Sequence, residues 1–224
     1  PLNPTAEDDW LGAISSWGYE ADTAGFECFT LPPDSIVRYN SSSHMDLKNF
    51  DVYVVCEPQN PFISAEKTAI FSFVNDGGGL FMVADHVSSD RNSNGWDSPM
   101  IWDDLPSDNF GIHFQQVSEG DNNLSCTSSS FTGLDSIYNG PYGNATGGTM
   151  YFHAGTTIPA NSDPDVIEIA PVDGDATRSM LTVAYYGNGR VAGMGDSSPA
   201  DDSTGQAGNT LYDGWNEGVD RILI

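Results

Sequence analysis

The stretches Asp51-Val-Tyr-Val-Val-Cys56 and Leu80-Phe-Met-Val-Ala84 decide the fold. Each is a short continuous apolar run, which is typical of a strand buried on both faces of a sheet. Between them, Pro61-Phe-Ile-Ser64 precedes a helical pattern over residues 65–76, and Gly77-Gly-Gly79 ends that pattern. Strand, helix and strand predict a βαβ unit with parallel strands and a right-handed crossover.

The chain on either side of this unit completes the fold prediction. Residues 85–148 are rich in Gly, Asn, Ser and Asp, which predicts a long Asp/Asn-rich loop insertion with short strands. Helices are predicted near 8–18 and from about 209 to the end, and strands over 25–31, 150–153, 166–169, 180–186 and 190–194. The Tyr186-Gly-Asn-Gly-Arg190 step is a hairpin turn signal. We expect a single three-layer α/β domain over residues 1–224, with a mostly parallel sheet.

The first strand of such a sheet is missing from the sequence. A doubly wound sheet normally has a central strand before its first helix, whereas this chain starts with the helix. We expect a strand beside Val52–Val55 or Leu80–Val83, because a central gap would leave two rows of backbone groups unpaired. Either a further segment of the same chain supplies that strand, or another chain does, which would make the protein a subunit of an assembly.

The charge balance excludes several classes of partner. The 224 residues carry 32 acidic and 7 basic side chains, a formal net charge of −25. Such a surface repels phosphate backbones and anionic lipids, so we expect no nucleic-acid binding. No apolar run is long enough to span a membrane. Asp outnumbers Glu by 24 to 8, and Asp is both a turn former and a cation ligand.

Cysteines and glycosylation sequons favour a secreted, extracellular protein. Cys28, Cys56 and Cys126 have no CxxC spacing, so no cysteine-based metal motif is present. A disulfide is expected by preference between Cys28 and Cys126, with the pairing left open. Sequons begin at Asn40, Asn123 and Asn144, although a chain rich in Asn, Ser and Thr can acquire them by chance.

Four segments resemble the class I glutamine amidotransferase-like superfamily, in particular its ThuA-like and related secreted putative hydrolases. They are residues 50–62, 73–86, 89–98 and 193–202. The resemblance implies a flavodoxin-like α/β sandwich and a hydrolase. It does not extend to the amidotransferase nucleophile, because Asp85-His86 follows the strand at 80–84 where the family has Cys on a Gly-x-Cys-x-Gly turn. Glutamine hydrolysis is therefore excluded at this position.

The segment Asp90-Arg-Asn-Ser-Asn-Gly-Trp-Asp97 has the spacing of the first half of a calcium loop. Oxygens at alternate positions converge while Gly95 permits the tight turn. The predicted ligands are side-chain oxygens and one carbonyl, from Asp90, Asn92, Asn94, Trp96 (carbonyl) and Asp97. Ile101 stands where the bidentate Glu would be, so affinity should be modest, and an Asx-rich surface turn without an ion is the alternative.

Polar residues follow three of the predicted strands and form the candidate catalytic site. They are Glu57, Asp85, His86, Asp196 with Ser197, and His153 after a further short strand. Ligands of open α/β sheets bind outside the carboxyl ends of parallel strands, so these groups should converge. They could support metal-assisted hydrolysis, with a second divalent cation, or they could cap turns and make structural bonds.

Two functions remain open on the sequence. The first is a secreted, calcium-binding, metal-assisted hydrolase. Carbohydrate is one candidate substrate and another extracellular compound is the alternative, since aromatic residues neighbour Asp-rich loops at 90–97, 201–206 and 213–217, namely Trp96, Trp102, Tyr212 and Trp215. Those loops could also hold a second cation or be solvated turns, and the rings could be core residues. The alternative is a non-enzymatic extracellular subunit of an assembly, which uses the fold as a calcium-stabilised scaffold.

Overall fold

The computed structural model describes residues 14–31, 35–126, 135–159, 165–172, 175–202 and 214–224. Its helices are α1 Ser15–Thr23, α2 Ser64–Asn75, α3 Ser98–Asp103, α4 Pro106–Asn109, α5 Asp135–Tyr138 and α6 Asp220–Leu223, with 3-10 turns at Leu47–Asn49 and Ser198–Ala200. Its strands are β1 Val52–Cys56, β2 Gly79–Val83, β3 Asp121–Cys126, β4 Asn139–Gly140, β5 Gly143–Asn144, β6 Gly148–His153, β7 Ile158–Pro159, β8 Val166–Val172, β9 Asp175–Tyr186 and β10 Gly189–Met194.

The chain divides into two compact units. The first comprises residues 1–31, 121–153 and 198–224, and the second comprises 32–120 and 154–197. In the described part of the first unit, β3 pairs antiparallel with β6, and β4 pairs with β5.

The predicted strand over 25–31 is wrong, since no strand forms there. The end of the chain is helical only over α6, and residues 1–13 and 203–213 lie outside the described residues.

The second unit contains a six-stranded sheet in the order β1-β2-β10-β9-β7, with β8 also paired to β9. The predicted βαβ unit is present, because β1 and β2 are parallel and α2 lies between them in the chain. The Glu66 carboxylate accepts the backbone N–H of Ile63 at 3.0 Å, which satisfies one donor at the start of α2. The helix buries Ile70, Phe73 and Val74, and Gly77 at φ +124° turns the chain toward β2.

The predicted mostly parallel, flavodoxin-like three-layer sandwich is wrong. Only β1 with β2 and β2 with β10 pair in parallel, whereas β10 with β9, β9 with β7 and β9 with β8 are antiparallel. The cause is local: β9 and β10 are joined only by Gly187 and Asn188, and a connection this short permits only a hairpin. The sheet is therefore mixed and mostly antiparallel.

Burial of β1 differs from the prediction of a strand enclosed on both faces. Its alternate side chains Val52 and Val54 are 51% and 38% exposed. β2 lies between β1 and β10, so no gap exists beside Leu80–Val83. Within the described residues, the outer side of β1 has no neighbouring strand.

Cys28 does not belong to a disulfide. It is a free thiol, so the preferred Cys28–Cys126 disulfide does not form in this structure. Burial raises the pKa of the Cys28 thiol, with a smaller contribution from Asp22. Cys28 is therefore held in its less reactive, protonated form.

Candidate functional site

The carboxyl ends of β1, β2 and β10 meet at one edge of the mixed sheet. These three strands are mutually parallel, and the backbone pairing continues past their ends through Glu57 N–H to Val83 C=O at 3.0 Å and Ala84 N–H to Met194 C=O at 2.8 Å. Glu57, Asp85 and Ser197 follow the ends of β1, β2 and β10 within three residues. The parallel core of the sheet thus brings together groups that are far apart in the sequence.

Arg91 joins two of these carboxylates. Its Nη2 donates to Glu57 Oε2 at 2.7 Å and to Asp85 Oδ2 at 2.8 Å, and its Nε donates to Glu57 Oε2 at 2.9 Å. The hydroxyl of Ser197 donates to the other oxygen of Glu57. The cluster of Glu57, Asp85, Arg91 and Ser197 is therefore a hydrogen-bonded unit in which one cation serves two anions.

The backbone at Glu57 is strained. Its φ is +42°, a left-handed value that is uncommon for a residue other than glycine. Left-handed backbone at such residues costs about 1–3 kcal/mol and concentrates at functional sites, where the surrounding structure holds it. The left-handed backbone at Glu57 turns the chain out of β1. Its carboxylate then lies at the sheet edge, in contact with Arg91 and Ser197.

Asp85 is a buried acid with a perturbed pKa. Its side chain is only 7% exposed, and its backbone N–H donates to Ser98 Oγ at 2.9 Å. Burial raises the pKa of Asp85, the charge of Glu57 raises it further, and the His86 N–H (2.7 Å to Oδ1) and the Arg91 charge oppose the shift. A carboxyl group with a raised pKa is suited to donate a proton near neutral pH.

His86 lies beside this acid at the rim of the cluster. Its Nε2 is 3.9 Å from Asp85 Oδ1, and its side chain is 34% exposed. Its Nδ1 contacts the carbonyl of Val87. The imidazole is thus oriented by the backbone and is accessible to solvent.

The loop from Asp90 to Asp97 forms a network of Asx turns. Asp90 accepts the backbone N–H groups of Asn94 at 3.0 Å and Gly95 at 2.7 Å, and Asn94 Oδ1 accepts the N–H of Trp96 at 2.9 Å. Asn92 Oδ1 accepts the Asn94 N–H at 3.1 Å. These oxygens point at backbone donors of their own loop, which accounts for the Asp/Asn spacing without an ion.

Asp97, the last predicted calcium ligand, caps a helix. Its Oδ1 accepts the N–H of Met100 at 3.1 Å as the N-cap of α3, and its Oδ2 accepts the N–H of Ser88 at 3.1 Å. Across the described residues, no group of three or more His, Cys, Asp and Glu side chains is placed to hold a metal ion. The donor set therefore does not fit a metal in the arrangement seen, and calcium binding stays a prediction.

The remaining predicted site residues are placed as follows. Asp196 is buried and lies directly before Ser197. His153 belongs to the first unit, where it ends β6 opposite Asp121, so its predicted role is not tested. Of the aromatic residues, Trp102 is fully buried and donates its Nε1 hydrogen to the Val83 carbonyl at 3.0 Å, which makes it a core residue.

The second predicted cation site is only partly described. Asp201 is buried, and Asp202 Oδ2 accepts the N–H of Ser16 at 2.6 Å. Residues 203–213, which include Tyr212, lie outside the described residues.

Arg91 is the residue that sequence reasoning missed. It stands at the second position of the predicted calcium loop, where no ligand is expected. The loop pattern therefore assigned roles to the residues on either side of Arg91 and none to Arg91 itself. A signal was available, because two carboxylates placed at neighbouring strand ends require a nearby cation, and the chain has only 7 basic residues.

Comparison with known proteins identifies the fold alone. No protein-family model and no curated protein matches the chain. Among solved structures, the cytoplasmic protein STM3548 from Salmonella typhimurium aligns with TM-score 0.55 and 16% identity over 95% of this chain and 84% of that one. The mmIFT52 N-terminal domain aligns with TM-score 0.53 and 14% identity over 83% and 79%. The cytoplasmic protein STM1381 from Salmonella typhimurium LT2 aligns with TM-score 0.50 and 13% identity over 86% and 80%. Identities this low carry no functional assignment.

One class of element is absent from the part of the chain that the structure describes. None of its helices combines the length and the apolar composition that a bilayer crossing requires.

Proposed function

We propose that the protein is a secreted hydrolase whose active site is the cluster of Glu57, Asp85, Arg91 and Ser197, with His86 at its rim. The observation that supports it best is the shared Arg91 Nη2, which lies 2.7 Å from Glu57 and 2.8 Å from Asp85. Both hydrogen bonds come from the same nitrogen. The distance between Glu57 Oε2 and Asp85 Oδ2 therefore cannot exceed the sum of 2.7 Å and 2.8 Å.

The two carboxyl groups have different environments, as acid–base hydrolysis requires. Burial raises the pKa of Asp85, whereas the Glu57 carboxylate accepts hydrogen bonds from both Arg91 and Ser197. Asp85 would give its proton to the leaving-group oxygen as the bond to it breaks. Because the two carboxyl groups lie close together, Glu57 would act as the nucleophile, and its oxygen would bond to the carbon that the leaving group departs from. Water would then give a proton back to Asp85 and displace Glu57 from that carbon.

Carbohydrate is the substrate class that we propose. Closely spaced carboxyl groups, one protonated and one ionised, are the usual apparatus of glycoside hydrolysis. A chain with net charge −25 repels anionic substrates, so a neutral polyhydroxy compound is suited to this surface. We assign no catalytic step to a metal, because Arg91 already occupies the facing oxygens of both carboxylates.

A panel of chromogenic glycosides and carboxylic esters tests this proposal. We expect turnover of at least one glycoside, and we expect Asp85→Asn and Glu57→Gln each to reduce kcat by about 10²–10⁴-fold. Asp104→Asn is the matched control, because Asp104 is an exposed carboxylate paired with Lys67 and lies outside the cluster. Equal activity in all three variants would place catalysis elsewhere, and hydrolysis of esters alone would contradict the substrate class.

The second candidate is a non-enzymatic subunit of an extracellular assembly. It is favoured by the outer side of β1, which has no neighbouring strand among the described residues and where Val52 and Val54 are exposed. A folded protein that turns over no member of the panel, and in which Glu57→Gln lowers only the melting temperature, would favour this candidate over the hydrolase.

A further inference from the structure

His86 is held in one tautomer by its own loop. Its ring Nδ1 lies in hydrogen-bond contact with the Val87 carbonyl oxygen. A carbonyl oxygen only accepts hydrogen bonds, so Nδ1 carries the proton in this contact. In the neutral imidazole the lone pair is therefore on Nε2, which makes that nitrogen a hydrogen-bond acceptor.

The position of this acceptor is fixed by the backbone around the ring. The His86 N–H donates to Asp85 Oδ1 at 2.7 Å, and the His86 carbonyl accepts the N–H of Ser89 at 3.2 Å. The next residue is anchored as well, since the Val87 N–H donates to the Val117 carbonyl at 2.9 Å. An acceptor that is already in place binds a ligand at a smaller ordering cost than a mobile one.

The acceptor lies beside the buried acid of the cluster. His86 Nε2 is 3.9 Å from Asp85 Oδ1, a separation too long for a hydrogen bond between the two groups. The side chain of His86 is 34% exposed and that of Asp85 is 7% exposed, so the ring lies on the solvent side of the pair. With Asp85 protonated, the pair presents a carboxylic-acid donor and an imidazole acceptor next to each other.

We infer that His86 binds a hydroxyl group of the substrate next to the oxygen that Asp85 protonates. This inference rests on the proposed function, in which Asp85 gives its proton to the oxygen of the bond being broken. A ligand that fits both protein groups carries an acceptor oxygen and, on the neighbouring carbon, a hydroxyl donor. The oxygens of a vicinal diol have this arrangement, and sugars contain it. The pair therefore selects substrates with a hydroxyl group adjacent to the bond being broken and rejects their deoxy analogues.

The trans vicinal diol of cyclohexane and cyclohexanol are the probes, because they differ by one hydroxyl group. NMR at neutral pH follows the ring nitrogens of the whole chain labelled with ¹⁵N at histidine. We expect the neutral His86 ring to carry its proton on Nδ1, and its Nε2 resonance to shift saturably as the diol is added. Cyclohexanol should bind about tenfold more weakly or worse, since a site built for a hydroxyl group rejects the analogue that lacks it.

His86→Phe is the matching change in the protein, because it removes the acceptor and keeps a ring. We expect diol binding, measured by saturation transfer to the protons of the diol, to weaken by about tenfold or more. His113→Phe is the matched control and should bind as the wild type does. His113 is 37% exposed, and its Nε2 lies 3.2 Å from Asp108 Oδ1, outside the cluster. Circular dichroism verifies the fold, and His86→Ala replaces His86→Phe if that variant does not fold.

The outcomes separate this inference from the proposed function. Diol binding that depends on His86, without turnover of any glycoside in the panel, would support the diol site and contradict the hydrolase. Glycoside turnover with equal affinity for both probes, or with equal diol binding by His86→Phe, would overturn this inference alone. A folded wild type that binds no diol would overturn it too, as would a proton on Nε2 of neutral His86, because that nitrogen would then be a donor.

Discussion

Replacing Arg91 by Ala should leave two poorly solvated carboxylates without their shared cation. Glu57 and Asp85 are 13% and 7% exposed, whereas the Arg91 side chain is 49% exposed. Breaking a fully buried ion pair costs about 3–5 kcal/mol and losing a surface pair costs about 0–1 kcal/mol. The half-exposed Arg91 lies between these limits, so we expect a loss of about 2 kcal/mol. For a chain of this size, that corresponds to a fall in Tm of about 4–8 °C.

The pH dependence of this loss identifies its cause. Burial already raises the pKa of Asp85, and removing Arg91 should raise it further, so the folded variant binds the Asp85 proton more tightly than the unfolded chain does. The penalty is therefore absent below the unfolded pKa of about 3.9 and grows as the pH rises through the folded pKa. Differential scanning calorimetry should show a smaller Tm difference between Arg91→Ala and wild type at pH 5 than at pH 8.

A double-mutant cycle separates charge from packing. Asp85→Asn removes the negative charge, so Arg91→Ala should cost at least about 1 kcal/mol less in that background than in the wild type. If the cost of Arg91→Ala is equal at both pH values and in both backgrounds, then Arg91 stabilises the fold through its aliphatic stem, and the electrostatic account of the cluster is wrong.

Three further predictions concern other parts of the chain. Calcium binding at 90–97 predicts that millimolar calcium raises Tm and EDTA reverses the effect in wild type but not in Asp90→Ala; an equal response in both, or none in wild type, contradicts the site. Burial raises the pKa of Asp220 to about 8, so wild-type stability should fall as the pH rises from about 4 through 8. Asp220→Asn should therefore match wild type below about pH 4 and melt increasingly higher than wild type up to about pH 8; parallel Tm curves would refute this. Gly189→Ala would place a Cβ 2.1 Å from the Val74 carbonyl oxygen, so urea denaturation should give a loss of about 1–3 kcal/mol or more, and a loss below about 0.5 kcal/mol would contradict this close approach.

The elements that were predictable from the sequence are those that local patterns specify. The apolar runs of β1 and β2, the helix between them and Gly77 lie within about 30 residues, and their βαβ arrangement follows from chain connectivity. Pairing between distant strands has no such local signature. The turn before Gly189 nevertheless indicates that β9 and β10 form an antiparallel hairpin. The prediction of a mostly parallel sheet did not take that hairpin into account.

The carboxylates of the candidate site could be predicted from the sequence, whereas Arg91 could not. Glu57, Asp85 and Ser197 could be placed because strand ends converge in any parallel sheet. Arg91 reaches them from a loop whose path depends on side-chain hydrogen bonds that periodicity does not encode. The exposure of Val52 and Val54 was equally hidden, since a continuous apolar run does not reveal whether a strand lies at a sheet edge.

The loop at 90–97, which has the spacing of a calcium site, positions Arg91 in this structure. The Nδ2 groups of Asn92 and Asn94 donate to the Gln59 carbonyl at 2.7 and 3.0 Å, and the backbone N–H of Arg91 donates to Gln59 Oε1 at 2.7 Å. Since Gln59 lies two residues after Glu57, these bonds fix the guanidinium against that carboxylate. An ion that recruited Asp90 would have to displace the amides of Asn94 and Gly95, and this would loosen the same contacts. The two chemistries proposed for this region therefore compete for one loop conformation.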